Sequence, residues 1–302
     1  MVDMAHYEAL YDIRHDGLQA LKGAKDLPAE TARKHLRRLD RMPHCLKVLD
    51  IYSEAVVANS VAGRCRPGRA NARLERLRAA GARRGDMRAY EAFEAKVTAK
   101  LDGLNMTGHG FTDRSLADAD PQAVYQGVRD LISKLAQMGY PAFANSGTLL
   151  GLTREGGLLA HDDDIDLAVM LDVTTDAAAA RAFTELFEKL QAEGLECSIR
   201  NEGNAIIKLP SIDGFEVDLF PAFGTRRRYS IYPYSRRGLR YTDVWPLKPC
   251  AATGINLPAK PETLLAANYG KGWRTPNPRF TFPWAARKRE FAPFLSKLAP
   301  AP

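Results

Sequence analysis

Apolar positions recur at helical spacing through the first third of the chain. Between residues 3 and 22, Tyr7, Leu10, Tyr11, Ile13, Leu18 and Leu21 fall three and four apart, which predicts an amphipathic helix. From Pro28 the stretch PAETARKHLRRLDRM opens with proline near the first turn, and Leu36 and Leu39 share one face. Pro43 should bend or end that helix before a second apolar segment over residues 45–61. Residues 62–71, AGRCRPGRAN, hold two glycines and a proline and read as a loop. A further helix is expected over residues 72–102, interrupted near Gly85, with Arg73, Arg76, Arg83, Arg84 and Arg88 on a basic face. Residues 103–120 are rich in glycine and aspartate and mark a boundary.

Beyond the boundary the periodicity changes. Val124, Val128, Leu131, Ile132 and Leu135 predict a helix over 121–138 that stops at Gly139, and the short apolar strand YPAFANS follows directly. HDDDIDLAVM reads as a strand, residues 175–193 as an alanine-rich helix, and residues 195–221 as a run of strands. Asn201-Glu202-Gly203-Asn204 separates two of these, so a hairpin is expected. Strands mixed with helices predict an α/β (α+β) fold, a mixed β-sheet with flanking helices preceded by an all-helical N-terminal region. The expected domains are residues 1–104 and 105–302.

Composition narrows the function classes. With 45% hydrophobic and 26% charged residues the chain is ordinary globular material, not disordered, collagen-like or coiled-coil. No apolar run approaches the roughly 18 residues of a membrane span. The acidic N-terminus MVDMAHYEALYDIRHD lacks the apolar core of a secretory signal. Cys45, Cys65, Cys197 and Cys250 are scattered, which disfavours a disulfide framework and a Cys/His zinc site. The expected location is cytoplasmic. The charge of +7 is lopsided: residues 1–104 carry 20 Lys+Arg against 14 Asp+Glu, and residues 105–302 carry 23 against 22. A basic appendage suits a polyanion such as nucleic acid, acidic lipid or acidic glycan, and a solvated arginine-rich face is the plainer alternative.

The stretch NSGTLLGLTREGGLLAHDDDIDLAVM carries the chemistry. As a strand, HDDDIDLAVM points Asp162, Asp164 and Asp166 one way and Ile165, Leu167 and Val169 the other. Carboxylates stacked about 6–7 Å apart per two-residue step repel, so the arrangement is unfavourable unless a hard divalent cation sits between them, Mg²⁺ or Mn²⁺. An acidic turn ahead of a strand is the alternative. Ser146-Gly147-Thr148 follows a predicted strand, where a small-residue turn leaves backbone N–H groups for a phosphate. The later strand Phe215-Glu216-Val217-Asp218-Leu219-Phe220 repeats the design, with Asp218 on its polar face able to complete a metal site.

These residues resemble the nucleotidyltransferase superfamily, the fold shared with DNA polymerase beta. More closely, SGTLLGLTREGGLLAHDDDIDLAV resembles the signature of the LicD family, which includes fukutin and fukutin-related protein. VDLFP at 217–221 and LPAKPETLLAANYG at 257–270 add to the likeness, which spans residues 121–285 or so. One departure is Ala160-His161, where family members commonly have Pro-Trp. Residues 1–104 take no part in the resemblance.

The resemblance implies a metal-dependent phosphotransferase. It would move a phospho-alcohol group, such as phosphocholine, ribitol phosphate or glycerol phosphate, from a CDP-activated donor to a sugar hydroxyl of a cell-surface glycan, releasing CMP. Carried over residue by residue, Asp164 and Asp166 are metal ligands, and Asp218 is the third carboxylate, which orients or deprotonates the acceptor hydroxyl. Gly147 and Thr148, with Ser146, would approach the donor phosphates. Arg154 would steady phosphate charge or pair with the acidic cluster. The partners it implies are the CDP-alcohol donor and the glycan acceptor; the basic charge of residues 1–104 adds peripheral contact with an anionic membrane surface, and no nucleic acid is expected. Two other classes stay open: a nucleotidyltransferase proper, and a non-catalytic polyanion binder.

Weaker signals accompany these. Lys208, in AIIKLP, reaches a phosphate or is a strand-edge lysine. His161 is read as a solvated loop residue ahead of a ligand or proton carrier. Arg226-Arg227-Arg228 with Arg236, Arg237 and Arg240, interleaved with Tyr229, Tyr232, Tyr234 and Tyr241, reads as a base-stacking or glycan-binding stretch, or as a flexible loop. Trp273 and Trp284 are expected as core anchors.

Overall fold

The structure is a computed structural model that describes residues 4–107, 110–113, 115–200, 203–277, 280 and 282–298. It divides into two compact units, Met1–Arg114 with Asn277–Phe282, and Ser115–Pro276 with Pro283–Pro302.

The first unit is built of helices α1 (Met4–Leu21), α2 (Ala29–Asp40), α3 (His44–Lys47), α4 (Asp50–Ala62), α5 (Pro67–Arg84) and α6 (Arg88–Leu101), followed by the short antiparallel strands β1 (Asn105–Met106) and β2 (Phe111–Thr112). Tyr52, Ala55, Val56, Val57, Ala58 and Val61 of α4 are all buried, so α4 is enclosed where its neighbours have one apolar face. Asn59, also buried, is satisfied: its Nδ2 donates to the Ile13 and Ala55 carbonyls at 3.0 and 2.8 Å, and its Oδ1 lies 2.7 Å from His35 Nδ1. Gly17 makes room for α4, since a Cβ there would come within 2.7 Å of Asn59 Nδ2. The loop expected over 62–71 is confined to residues 63–66. Pro67 opens α5 because a missing N–H is no loss at the first helical position. Gly85, with φ 69°, caps α5 as its sequence position suggested.

The second unit opens with a 3-10 turn, Leu116–Asp118, and continues through α7 (Pro121–Gln137), β3 (Ala142–Ala144), α8 (Ser146–Arg154), β4 (Asp164–Met170) and α9 (Asp176–Ala192). Then come β5 (Ser198–Arg200), β6 (Ile206–Ile212), β7 (Phe215–Gly224), β8 (Tyr229–Ile231), β9 (Ser235–Leu239) and α10 (Tyr241–Val244). The short pair β10 (Lys248–Pro249) and β11 (Asn256–Leu257), α11 (Pro261–Tyr269), α12 (Trp284–Glu290) and α13 (Ala292–Leu295) complete it. Among the described residues the main sheet runs β3-β4-β7-β6-β5, with β8 and β9 continuing from β7. β4 and β7 are parallel and their other neighbours antiparallel, so the sheet is mixed and the fold is α+β. β5 and β6 form the expected hairpin; Asn201 and Glu202 of its turn lie outside the described residues. α7 lies against β3 and β6, and α9 against β7.

Two expectations are corrected. The basic aromatic stretch is neither a stacking platform nor a flexible loop: it is the β8–β9 hairpin, with Tyr229, Tyr232 and Tyr234 buried and Arg236 paired with Asp176 at 2.7 Å. Tyrosines are amphipathic enough to serve a core when their hydroxyls find partners, as Tyr232 does on Asn204 Oδ1 at 3.0 Å. Trp273 is buried as expected, but Trp284 is 38% exposed at the start of α12, a helix with no buried residues. No described helix is long and apolar enough to cross a membrane.

Candidate functional site

The register of two parallel strands assembles the carboxylates. Asp166 of β4 pairs with Asp218 of β7, and Asp164 with Glu216. Residues directly paired across strands share a face, and side chains two apart along a strand do also, so Asp164, Asp166 and Asp218 converge. Carboxylate oxygens from all three lie within 4.8 Å of one another, although the residues are only 6, 7 and 3% exposed. Asp162 lies outside the strand, in the preceding turn, because β4 begins at Asp164. It belongs with Asp163 and Asp164 to a second, more exposed group of the same kind. The expected stack of three aspartates along one strand is thus two aspartates on β4 completed by one from β7.

Burial pushes the Asp166 carboxyl well above its ordinary range, and the charges of Asp164, Asp162 and Asp218 push it further; the Gly147 N–H opposes them. Such a set of oxygen donors, gathered out of water and mutually repelling, fits a hard divalent cation. Lys208 supplies one positive charge. It lies opposite Asp218 on β6, with Nζ 2.5 Å from Asp218 Oδ1 and 2.6 Å from Glu216 Oε2. Burial works against its charge, but the hydrogen bonds to Asp218 and Glu216 prevail and hold the ammonium above the usual lysine range. Because β6 runs between β7 and β5, Lys208 is not a strand-edge lysine, and its ammonium is engaged by carboxylates.

Ser146, Gly147 and Thr148 are the first turn of α8, not a free turn. The Gly147 N–H donates to Asp166 Oδ2 at 3.1 Å, and Thr148 Oγ1 accepts from the Asp166 N–H at 2.9 Å. Both groups therefore orient Asp166, where the sequence alone pointed to a phosphate. Ser146 Oγ is 3.2 Å from the Tyr269 hydroxyl and is also hydrogen-bonded to Tyr234. Burial, with the nearby Asp166 charge, raises both tyrosines far above the ordinary phenol range, so they stay protonated donors. Ser146 itself adopts φ 44°, an uncommon conformation for a residue with a side chain. Arg154 ends α8, about 12 Å along the helix from Ser146. It pairs with Glu155 at 2.7 Å and donates to the Trp273 carbonyl at 3.3 Å, so it is not brought to the acidic cluster. His161 is exposed in the turn before β4.

Of three further residues beside the cluster, Asn145 and Tyr269 were not picked out from sequence, and Tyr234 was read only as part of the basic aromatic stretch. Asn145 is fully buried, and neither its Oδ1 nor its Nδ2 has a hydrogen-bond partner among the described residues. Its backbone N–H donates to the Asp166 carbonyl at 3.0 Å, continuing the β3–β4 ladder. Tyr269 ends the Leu-Pro…Tyr-Gly element, and Tyr234 lies between β8 and β9. The signal for Asn145 was strand alternation carried one residue past Ala144.

Gly147 is a glycine for want of space: a Cβ there would collide with Asp162 Oδ2 and lie 3.6 Å from Asp166 Oδ2. Gly147→Ala should therefore lower stability by about 1–3 kcal/mol, the usual cost of overpacking. It should also blunt any stabilisation by Mg²⁺, both read by thermal melts with and without EDTA; an unchanged melt would mean that the turn opens freely.

Residues 139–260 match the family model described as LicD/FKTN/FKRP, nucleotidyltransferase domain. No curated protein matches the chain. The matched span includes β3, β4, β6 and β7, and with them Asp164, Asp166, Asp218 and Lys208. Over residues 139–260 the chain is similar to the nucleotidyltransferase domain of the LicD family.

Proposed function

We propose that the chain is a metal-dependent phosphotransferase that moves a phospho-alcohol group from a CDP-activated alcohol to a sugar hydroxyl of a cell-surface glycan. The observation that carries this reading is the Asp166–Asp218 register, which buries three carboxylates together inside the LicD-family segment. Asp164, Asp166 and Asp218 would hold Mg²⁺ or Mn²⁺, and when bound the cation would neutralise charge on the donor pyrophosphate. The Gly147 N–H and Thr148 hydroxyl keep Asp166 in place. Asp218, steadied by Lys208, orients the acceptor hydroxyl and accepts its proton as the oxygen attacks phosphorus; the phosphorus–oxygen bond to CMP breaks and CMP leaves. Ser146, Tyr234 and Tyr269 offer hydroxyl donors for phosphate oxygens beside the carboxylates. Residues 1–104 would be a basic appendage that brings the catalytic residues 105–302 to an anionic surface in the cytoplasm.

The test is incubation with a panel of CDP-alcohols and Mg²⁺, following nucleotide products by chromatography. CMP release from one member, abolished by EDTA, is the expected result. The family description as a nucleotidyltransferase domain also supports nucleotide transfer. Pyrophosphate release from a nucleoside triphosphate would establish that reading in place of the first.

A further inference from the structure

The first unit contains a cavity of about 430 Å³ whose lining includes Arg33, Arg37, Arg64 and Arg66. Arg33 and Arg37 lie one turn apart on α2, the spacing at which like charges disfavour a helix. Arg64 and Arg66 flank Cys65 in the turn before α5, and both adopt left-handed backbone, φ 45° and 53°, where residues with side chains are uncommon. Arg66 is held by Asp40 at 2.8 Å. Arg33, Arg37 and Arg64 have no ion pair or side-chain hydrogen bond among the described residues.

Elsewhere in the unit Arg14 pairs with Glu54, Arg69 with Asp40, Arg78 with Glu75, Arg84 with Asp50 and Arg88 with Asp86, while Arg38, Arg41 and Arg83 have no ion pair among the described residues. What sets this cavity apart is that three unpaired guanidinium groups and a fourth, that of Arg66, line it together. The first turn of the 18-residue helix α5 opens there at Pro67 and adds the positive end of its dipole. Guanidinium forks match phosphate oxygens two at a time, and several around one cavity select a multiply charged anion over a single carboxylate. Pro67 and Phe111 supply an apolar wall. The volume suits a small molecule or a headgroup.

We infer that this cavity binds a phosphomonoester or pyrophosphate group, carried by a soluble molecule or by a lipid headgroup. The inference does not rest on the transferase reading, because the first unit supplies all the residues involved.

The test uses the full chain in EDTA, so that a metal-dependent donor site takes no part. Sodium pyrophosphate is titrated by calorimetry at near-physiological salt, with sodium sulfate as a control. Flotation with vesicles of phosphatidylcholine, with and without phosphatidic acid, forms the second arm. Saturable pyrophosphate binding assigns a soluble source, and phosphatidic-acid-dependent flotation a lipid one. In either case Arg33→Gln with Arg64→Gln should weaken binding at least about tenfold, as expected for lost charge-assisted bonds. Arg83→Gln with Arg88→Gln removes the same charge from positions that do not line the cavity and should leave binding within about threefold, since charges that do not touch the anion are screened by salt. All four side chains are on exposed residues, so unchanged melting temperatures will certify folding. Absence of binding in both arms, or equal loss in the two double variants, overturns the assignment.

Discussion

With divalent cations chelated, the Asp166→Asn variant is expected to be more stable than the parent protein, and with Mg²⁺ present the order should reverse. Asn keeps the shape of the side chain and can still accept from the Gly147 N–H, but it removes one of three buried negative charges. The sign follows from the raised carboxyl. In the folded chain Asp166 keeps its proton to a higher pH than in the unfolded chain, so over that interval the folded state binds more protons and stability falls as pH rises. The loss begins near the ordinary aspartate range and is complete once pH passes the raised value. Asp166→Asn abolishes that slope. The two proteins should therefore melt alike near pH 4 and diverge toward neutrality, by of order 1 kcal/mol or more, given that each unit of pKa difference is worth about that much. Addition of Mg²⁺ stabilises whichever protein binds it, by about 3 kcal/mol at a hundredfold excess over Kd, and the parent should gain more. Turnover in the variant should fall about 10²-fold or more, since the lost Lewis-acid contribution is several kcal/mol. Melts from pH 4 to 8 in EDTA and in Mg²⁺ check the stability claims. A variant that is less stable than the parent in EDTA at pH 7, or that gains as much from Mg²⁺, would sink the reading of these aspartates as a cation site.

The parts of this site legible in the sequence are those in which one strand reports on itself. Alternation in DIDLAVM and FEVDLF separates core from polar positions without knowledge of the fold, and both strands follow it. Alternation does not say where a strand begins. Asp162 falls in the turn because β4 pairs with β7 only from Asp164 onward, where Glu216 lies alongside. Pairing partners are tertiary facts. Lys208 could be read as a phosphate ligand or as an edge residue because nothing local reveals that β6 is paired on both sides, and its partners are residues of β7. The small residues after β3 looked like a phosphate turn, yet the helix they open directs Gly147 and Thr148 at Asp166. Tyr234 and Tyr269 come from segments remote in sequence, and each hydroxyl meets Ser146 only through the fold. In the helical unit the proline and glycine at 67–68 suggested a loop where proline in fact begins a helix. The same residue types serve both ends, and context decides between them.

Lys208 separates a structural account of the cluster from a purely functional one. Its side chain is 12% exposed and that of Asp218 is 5% exposed, so the pair is largely withdrawn from water. Breaking such a pair from one side costs about 3–5 kcal/mol, because the remaining charge stays buried. Here that charge stands beside two further carboxylates, which makes the loss of the ammonium more serious. Lys208→Met keeps the length and apolar stem of the side chain and removes its charge. In EDTA at pH 7.5 it should destabilise by about 3 kcal/mol. The whole contribution is present at that pH: with the ammonium raised by its partners, the pair's stabilisation is complete below the ordinary lysine range and is lost only as pH climbs through the raised value. Two rescues should follow, and they discriminate. Lys208→Met combined with Asp218→Asn should recover most of the stability without any cation, since both charges are then gone and the cycle isolates their coupling. Mg²⁺ should stabilise Lys208→Met more than it stabilises the parent, because a cation among the carboxylates takes over the role of the missing ammonium. Parallel melts of the four proteins of the cycle, each with EDTA and with Mg²⁺, measure both. A Lys208→Met protein that melts with the parent would show that the ion pair is not what reconciles the fold with its buried acids. A destabilised variant that neither Asp218→Asn nor Mg²⁺ rescues would place the damage in packing and not in charge.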